Sequence, residues 1–444
     1  MAITQEDIAR AGVVGAGGAG FPTHVKLSGK ADTVVLNAAE CEPLLHKDKE
    51  LILHNASLIV EGLSRATSLV GAKEAVIGIK AKYTKVIAAM NKALRPNMRV
   101  FPLPDVYPSG DEFILVYLTL GRVIAPGAIP LSVNAVVINV ETALNVANVG
   151  ETPVVDKYVS VAGAVKNPST VCVPLGTSLA ECLELAGGAT ISNPAYVVGG
   201  AMMGYLVPGL DVPVTKTTGG LIVLPEDHFI VRRKSWDWNK TLRVGHSACD
   251  QCSRCTELCP RYMLGHPIEP HRAMRSLGFN TNREADVAGT QFCSECNLCS
   301  YYSCPEDLDP CGVNHQNKMR LMAEKKRWSD PPFAPSRADI LTTYRKTPTQ
   351  RLMQRTGLDG FVNHGPLLKK QYQPNEVKIP LRQHIGAPCV PVVNLGDSVV
   401  RGQAIATRPV TDGKAALGAD VHASINGTVT EVAAEYIKIA ATKN

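Results

Sequence analysis

The chain has 444 residues, enough for three or four domains. Apolar residues make up 45% and aromatics only 5%, with Ala, Val and Gly abundant, as in packed α/β layers. The net charge of +6 is too weak a basic bias to argue for nucleic acid, and the richest apolar stretch, residues 113–133, is broken by Gly121, Arg122, Pro126 and Pro130, so no transmembrane helix and no integral membrane protein is expected.

The N-terminus lacks a basic run ahead of an apolar core, so no secretory signal is read and a cytoplasmic protein is expected. Thr4, with Asp7 three residues on and acid in the first turn, predicts a helix before residue 15. "GVVGAGGAGFPTHVKL" follows at residues 12–27. Gly15, Gly17 and Gly20 satisfy G-x-G-x-x-G, and Glu40 lies twenty residues beyond. A dinucleotide turn needs a strand before the glycines and a helix after them. The preceding residues read as helical and Pro22 opposes an immediate long helix, so a plain dinucleotide turn is disfavoured. A phosphate-binding nest of backbone N–H groups fits better, with Lys26 adding charge. A flexible linker is the bland alternative, though linkers are usually richer in Ser.

Strands are predicted at residues 33–38, 74–79, 98–101 and 135–140, separated by helical patterns at 44–66, 80–94 and 112–121, with another helix from 141. This alternation makes residues 1–153 an α/β domain. Residues 154–235 switch to short β runs, a Lys-Asn-Pro turn and a helix ended by Gly187-Gly188, a small β-grasp module. Residues 331–375 read as a linker or loose helices, and residues 376–444 as a compact β barrel-sandwich. Carriage of biotin or lipoate by that barrel has a weak candidate in Lys414, without a flanking methionine.

Residues 240–330 hold nine of the thirteen cysteines, among short helices. Cys249, Cys252, Cys255 and Cys259 follow the x2, x2, x3 spacing that ends in proline, the bacterial ferredoxin run for a [4Fe–4S] cluster. Short loops set three thiolates around one cubane, while the fourth cysteine reaches the other cluster of a pair. Cys293, Cys296, Cys299 and Cys304 repeat the pattern with one extra residue in the last gap. Two clusters are expected. Zinc is the competing reading, because C-x2-C pairs also bind zinc. The insertion leaves Cys304 or Cys311 as the eighth ligand, with Cys304 favoured for its Cys-Pro ending.

"GAGGAGFPTHVKL", "NAAECEP", "YPSGDE" and "INVETALNV" occur in the order and spacing of the NADH-binding flavoprotein of respiratory complex I, and resemble RnfC-type electron-transfer subunits more closely. The barrel-sandwich, N-terminal in RnfC, stands C-terminal here, an order most similar to the cobalamin reductase branch of propanediol-utilisation microcompartments. The resemblance implies a Rossmann-like α/β flavin domain, a β-grasp (SLBB) module, a ferredoxin-like helical iron–sulfur domain and a barrel-sandwich hybrid. It implies FMN, two [4Fe–4S] clusters and NADH as donor, with reduction of cob(III)alamin to cob(II)alamin and on toward cob(I)alamin. Implied partners are an adenosyltransferase and microcompartment shell proteins. A peripheral Rnf-type subunit exchanging electrons with ferredoxin, or a docking scaffold, are the other readings.

Residue by residue, Gly15, Gly17, Gly18 and Gly20 match the loop that FMN phosphate and NADH approach, and Phe21 an aromatic near the adenine. Lys26 matches a lysine close to the flavin, and Asn37, Glu40 and Glu42 match polar contacts, Glu42 near the nicotinamide; Lys26 and Glu42 are the implied catalytic pair. Gly110, Asp111 and Glu112 match a turn beside the flavin, and Asn139 and Thr142 the phosphate side. Ala39 and Ile138 stand where the family has polar residues.

Overall fold

The computed structural model describes residues 3–278, 284–326, 337–369 and 372–442; the expected domain limits at 1, 330, 331 and 444 lie outside them. Its first unit is a four-stranded parallel sheet in the order Met98–Leu103, Glu74–Lys80, Thr33–Ala38, Ala135–Asn139. Val34, Val35 and Leu36 are fully buried, as are Ala75, Val76 and Ile77, because helices cover both faces of such a sheet. The long helix Lys47–Val70 lies against helix Val140–Ala147 so closely that a side chain at Gly62 would meet the carbonyl of Ala143. The N-terminal helix Gln5–Arg10 is capped by Thr4 and Asp7 as expected, and only four residues, Thr23–Lys26, are helical after Pro22. The glycine loop therefore precedes the first strand instead of following it, which is why the plain dinucleotide turn does not form.

The second unit is a five-stranded sheet, Ser169–Pro174, Asp156–Gly163, Gly220–Pro225, Pro194–Val198 and Tyr205–Val207, with helix Leu179–Leu185 packed on it. The C-terminal unit pairs two small sheets around Val377, Ile379, Ile405, Val421, Ile437 and Ile439. Lys414 lies on an exposed two-stranded hairpin at its edge. This barrel docks on the back of the glycine loop: Ile385 N–H donates to Gly20 O (3.0 Å), and Asp420 N–H to Ala9 O (3.1 Å).

Residues 337–369, expected as a linker, are packed. Thr347–Pro348 pairs with Val106–Tyr107 of the first unit, and helix Thr349–Thr356 buries Leu352. The buried Lys80 ammonium anchors the junction, donating to Thr349 Oγ1 (3.1 Å) and pairing with Asp105 (3.0 Å). Polar composition hid this because the partners lie more than 200 residues away. Among the described residues no helix is long and apolar enough to cross a membrane.

Candidate functional site

The strand order reverses between Thr33–Ala38 and Ala135–Asn139, and a crevice at such a switch point is where open parallel sheets bind ligands. Asn37 and Asn139 are register partners at its floor. The glycine loop covers it: Ala16 N–H donates to Thr142 Oγ1 (2.9 Å), and Gly17 lies against the Asn139 side chain. The N–H groups of Gly17, Gly18 and Ala19 have no acceptor among the described residues, and all three residues are exposed. Gly18 has φ +112° and open space where a side chain would project. This is a nest of free donors suited to phosphate, so an FMN phosphate fits.

Around the crevice, Lys26 Nζ bonds Glu112 (2.7 Å) and Val137 O (3.1 Å). Asn37 donates to Gly110 O (2.8 Å), and Asn139 donates to Asp48 (2.7 Å) while capping Glu141 N–H (2.9 Å). Glu40 is half-buried near Asp48 and Glu42; burial first, then those carboxylates, push its pKa up to about 7. Phe21 and Gly15 lie at the loop's base, closed by the Gly15 N–H bond to Phe21 O (2.9 Å). Glu42, placed by the resemblance beside the nicotinamide, is engaged on both oxygens, accepting from Met202 N–H (2.8 Å), Met203 N–H (3.1 Å) and Tyr107 OH (3.3 Å). Those contacts bolt the first unit to the β-grasp loop. The reason is packing: Gly200 approaches so closely that a side chain there would strike the Glu42 carboxylate.

Beneath the loop lies a buried ionic network that sequence reasoning missed. Glu141 accepts from Lys157 (2.6 Å) and Lys47 (3.1 Å), Lys47 also bonds Asp48 (2.7 Å), and Lys157 reaches Ala16 O (3.2 Å). Burial lowers Lys157 to about 8, opposed by Glu141. Lys216, also fully buried, bonds Gly12 O (2.8 Å) and Asp420 O (2.7 Å), tying loop, β-grasp unit and barrel together. The available signal was the Lys47-Asp48 pair at the start of the helix and the acid within "NVET".

The cysteines surround two cavities. The outer one is lined by Cys249, Cys252, Cys255 and Cys304, the inner one by Cys293, Cys296, Cys299, Cys259 and Cys311. Each run's fourth cysteine thus joins the other run's cavity, as in two-cluster ferredoxins. The two runs share a backbone: Gln251 and Ser253 take φ of 60° and 65°, and their counterparts Glu295 and Asn297 take 57° and 61°. The extra residue of the second run is absorbed in a widened turn, Cys299–Ser303, with π-type spacing, so Cys304 keeps its place. The thiols of two ferredoxin-type runs line two cavities, an arrangement that suits a cubane better than zinc. Burial pushes the Cys255 and Cys259 thiols up to about 12, so they need a metal to become thiolates. Asn314 supplies an independent test of fit. It lines the inner cavity at 1% exposure, and neither polar atom of its amide has a partner among the described residues. A cluster's sulfur atoms would accept that amide's N–H.

The inner cavity abuts the flavin unit. Tyr107 OH donates to Cys296 O (2.9 Å), Arg261 pairs with Asp111 (2.7 Å) and its guanidinium stacks 3.6 Å above the Phe113 ring. The outer cavity faces solvent through Cys252, which is exposed.

Comparison with known proteins matches every unit. The Nuo51 FMN-binding domain matches residues 8–148, the SLBB domain 158–206, the 4Fe-4S dicluster domain 248–309 and the RnfC barrel sandwich hybrid domain 364–443. One subunit of the Na(+)-translocating ferredoxin:NAD(+) oxidoreductase complex of Acetobacterium woodii is 34% identical over 58% of this chain and 57% of its own. Cobalamin reductase PduS of Citrobacter freundii is 42% identical, and that of Salmonella typhimurium 43%, each over 98% of this chain and 96% of the relative. Domain content, domain order and end-to-end identity agree, and the chain belongs to the PduS cobalamin reductase family.

Proposed function

We propose that this protein draws electron pairs from NADH and passes single electrons to a corrinoid, taking cob(III)alamin to cob(II)alamin and on toward cob(I)alamin. The observation that carries the reading is the likeness to cobalamin reductases over 98% of the chain, against 58% for the Rnf-type subunit. When bound, FMN exchanges a hydride for single electrons and the clusters carry those electrons one at a time. The chain's own residues do the positioning. The Gly17–Ala19 N–H groups hold a phosphate, and the Lys47–Glu141–Lys157 network fixes the loop that presents them. Lys26, paired with Glu112, stands at the crevice wall. Tyr107, Glu42 and Arg261 lock the inner cysteine cavity onto the flavin unit, leaving the exposed Cys252 side for a bulky acceptor. An adenosyltransferase that consumes the reduced corrinoid, and a place within a microcompartment, follow from the same family reading.

The test is anaerobic reconstitution followed by NADH oxidation with hydroxocobalamin or ferredoxin as acceptor. Cobalamin reduction is expected; turnover with ferredoxin alone would move the protein to the Rnf-type role. In a Cys252→Ala, Cys296→Ala variant, NADH oxidation by a small flavin-level dye is expected to survive while cobalamin reduction falls to background. Cobalamin reduction at the parental rate would make the flavin the direct donor.

A further inference from the structure

The inner cavity has one thiol more than a [4Fe–4S] cluster uses: Cys259, Cys293, Cys296, Cys299 and Cys311 all line it. They come from three stretches of chain. Cys293, Cys296 and Cys299 share the left-handed loop of the second run, Cys259 reaches over from the first run, and Cys311 stands in the first turn of helix Pro310–Ala323. The Cys311 side chain belongs to one buried cluster with Cys299 of the inner set and Cys255 of the outer set. It therefore lies between the two cavities, only 4% exposed.

The position is held firmly. Cys311 N–H donates to Ser300 Oγ (2.9 Å), which in turn donates to Asp309 Oδ1 (2.7 Å), and Asp309 caps Gly312 N–H (3.0 Å). A side chain at residue 312 would strike the Asp309 carboxylate, so glycine there is what lets the cap close. Ser300 lies within the widened Cys299–Ser303 turn, so the inserted residue of the second run and the placement of Cys311 are mechanically joined.

We infer that Cys311 is a reserve ligand of the inner cluster, a thiol that takes the iron otherwise held by Cys259. The inference rests on the assignment of Cys259, Cys293, Cys296 and Cys299 as the resident ligands. Cys259 is the replaceable one because it alone among them belongs to the other run, and the loop that carries the remaining three is the one Cys311 already touches. The exchange is not redox: the iron–thiolate bond to Cys259 is lost and one to Cys311 forms, the Cys311 proton passing to the released Cys259 sulfur. A cluster that loses a ligand is prone to shed the iron it held; a waiting thiol retains it.

The test measures iron and sulfide content, with electron paramagnetic resonance of the reduced state, in the full chain reconstituted anaerobically. The parent, Cys311→Ala and Cys259→Ala are each expected to hold about eight irons, and Cys259→Ala, Cys311→Ala about four. The inner signal of Cys259→Ala is expected to change shape, since its ligand has changed position. Parental flavin content in the double variant shows that the fold survives; if flavin is also lost, Cys259→Ala, Cys311→Ser, which keeps the side-chain volume, takes its place. A fall to about four irons in Cys259→Ala alone overturns the reserve role and leaves the ligand assignment standing. A fall in Cys311→Ala alone overturns both, making Cys311 a resident ligand. Full iron in the double variants overturns the reserve role as well. Iron near zero in the parent sinks the two-cluster reading beneath it.

Discussion

In the flavin crevice, most side chains singled out by the family resemblance are already bonded to protein: Asn37 to Gly110, Asn139 to Asp48, Thr142 to Ala16, Glu42 to Met202 and Met203. What remains free there is backbone, the N–H groups of Gly17, Gly18 and Ala19. In the cysteine domain the roles are reversed. The thiols face the cavities, and the backbone, bent left-handed at Gln251, Ser253, Glu295 and Asn297, does the holding. One region recognises its cofactor with main chain that side chains have made rigid; the other uses side chains that main-chain turns have aimed. Damage should therefore propagate differently. A change to a crevice side chain acts through the loop it supports, whereas a change to a cysteine removes a bond to the cofactor itself.

The sharpest way to break this contrast is at Gly18. Its φ of +112° is reached readily only by glycine, and a side chain would fill the space over the free N–H groups. Gly18→Val is expected to abolish flavin binding while iron and sulfide stay at parental levels, read by flavin absorbance and iron analysis of one preparation. Parental flavin in that variant would mean that the nest is not the phosphate site. A smaller but still large effect is expected at Lys157, which touches Glu141 and the loop carbonyl of Ala16 without reaching the crevice. Lys157→Met leaves Glu141 with Lys47 as its remaining cation, and breaking a buried pair typically costs about 3–5 kcal/mol. Denaturant unfolding should show that loss, with flavin affinity weakened and cluster content unchanged. Unaltered stability would show that Lys47 alone neutralises Glu141.

The same contrast explains what could be read in the sequence. Cysteine ligands announce themselves because two-residue loops fix three thiols around one centre, and the Cys-Pro ending marks the fourth. The alternating strands and helices of the first unit were equally legible from periodicity, to within a few residues at their ends. The widened Cys299–Ser303 turn was not, since an insertion alone does not say where the chain absorbs it. Nor was the Lys47–Asp48–Glu141–Lys157 network. A lysine reads as a surface residue until its partner is known, and the Lys47 contact with Glu141 spans 94 positions. Residues 337–369 misled for the same reason: a polar stretch is a linker by composition and a packed clasp by its distant contacts with Asp105, Tyr107 and Lys80.

The smallest expected effect is also the most selective, because it asks whether a side chain other than cysteine serves the inner cavity. Asn314 follows Cys311 by nearly one helical turn, so both residues lie on the cavity face of helix Pro310–Ala323. A buried amide with both polar atoms unpaired is costly, and such groups in a folded protein ordinarily have a partner. With a cluster in the cavity, the Asn314 N–H would have a sulfur atom to donate to, and a donor of that kind favours the more negative, reduced state. Asn314→Leu keeps the bulk and removes the donor, so the inner cluster's midpoint potential should fall. The net worth of one hydrogen bond, about 1 kcal/mol, corresponds to a few tens of millivolts for a one-electron couple. The outer cluster, lined by Cys249, Cys252, Cys255 and Cys304 without Asn314, should keep its potential. A redox titration followed by electron paramagnetic resonance separates the two clusters. Equal shifts in both, or none in the inner one, would show that Asn314 contributes nothing to the cofactor and that the cysteines serve the cavity unaided.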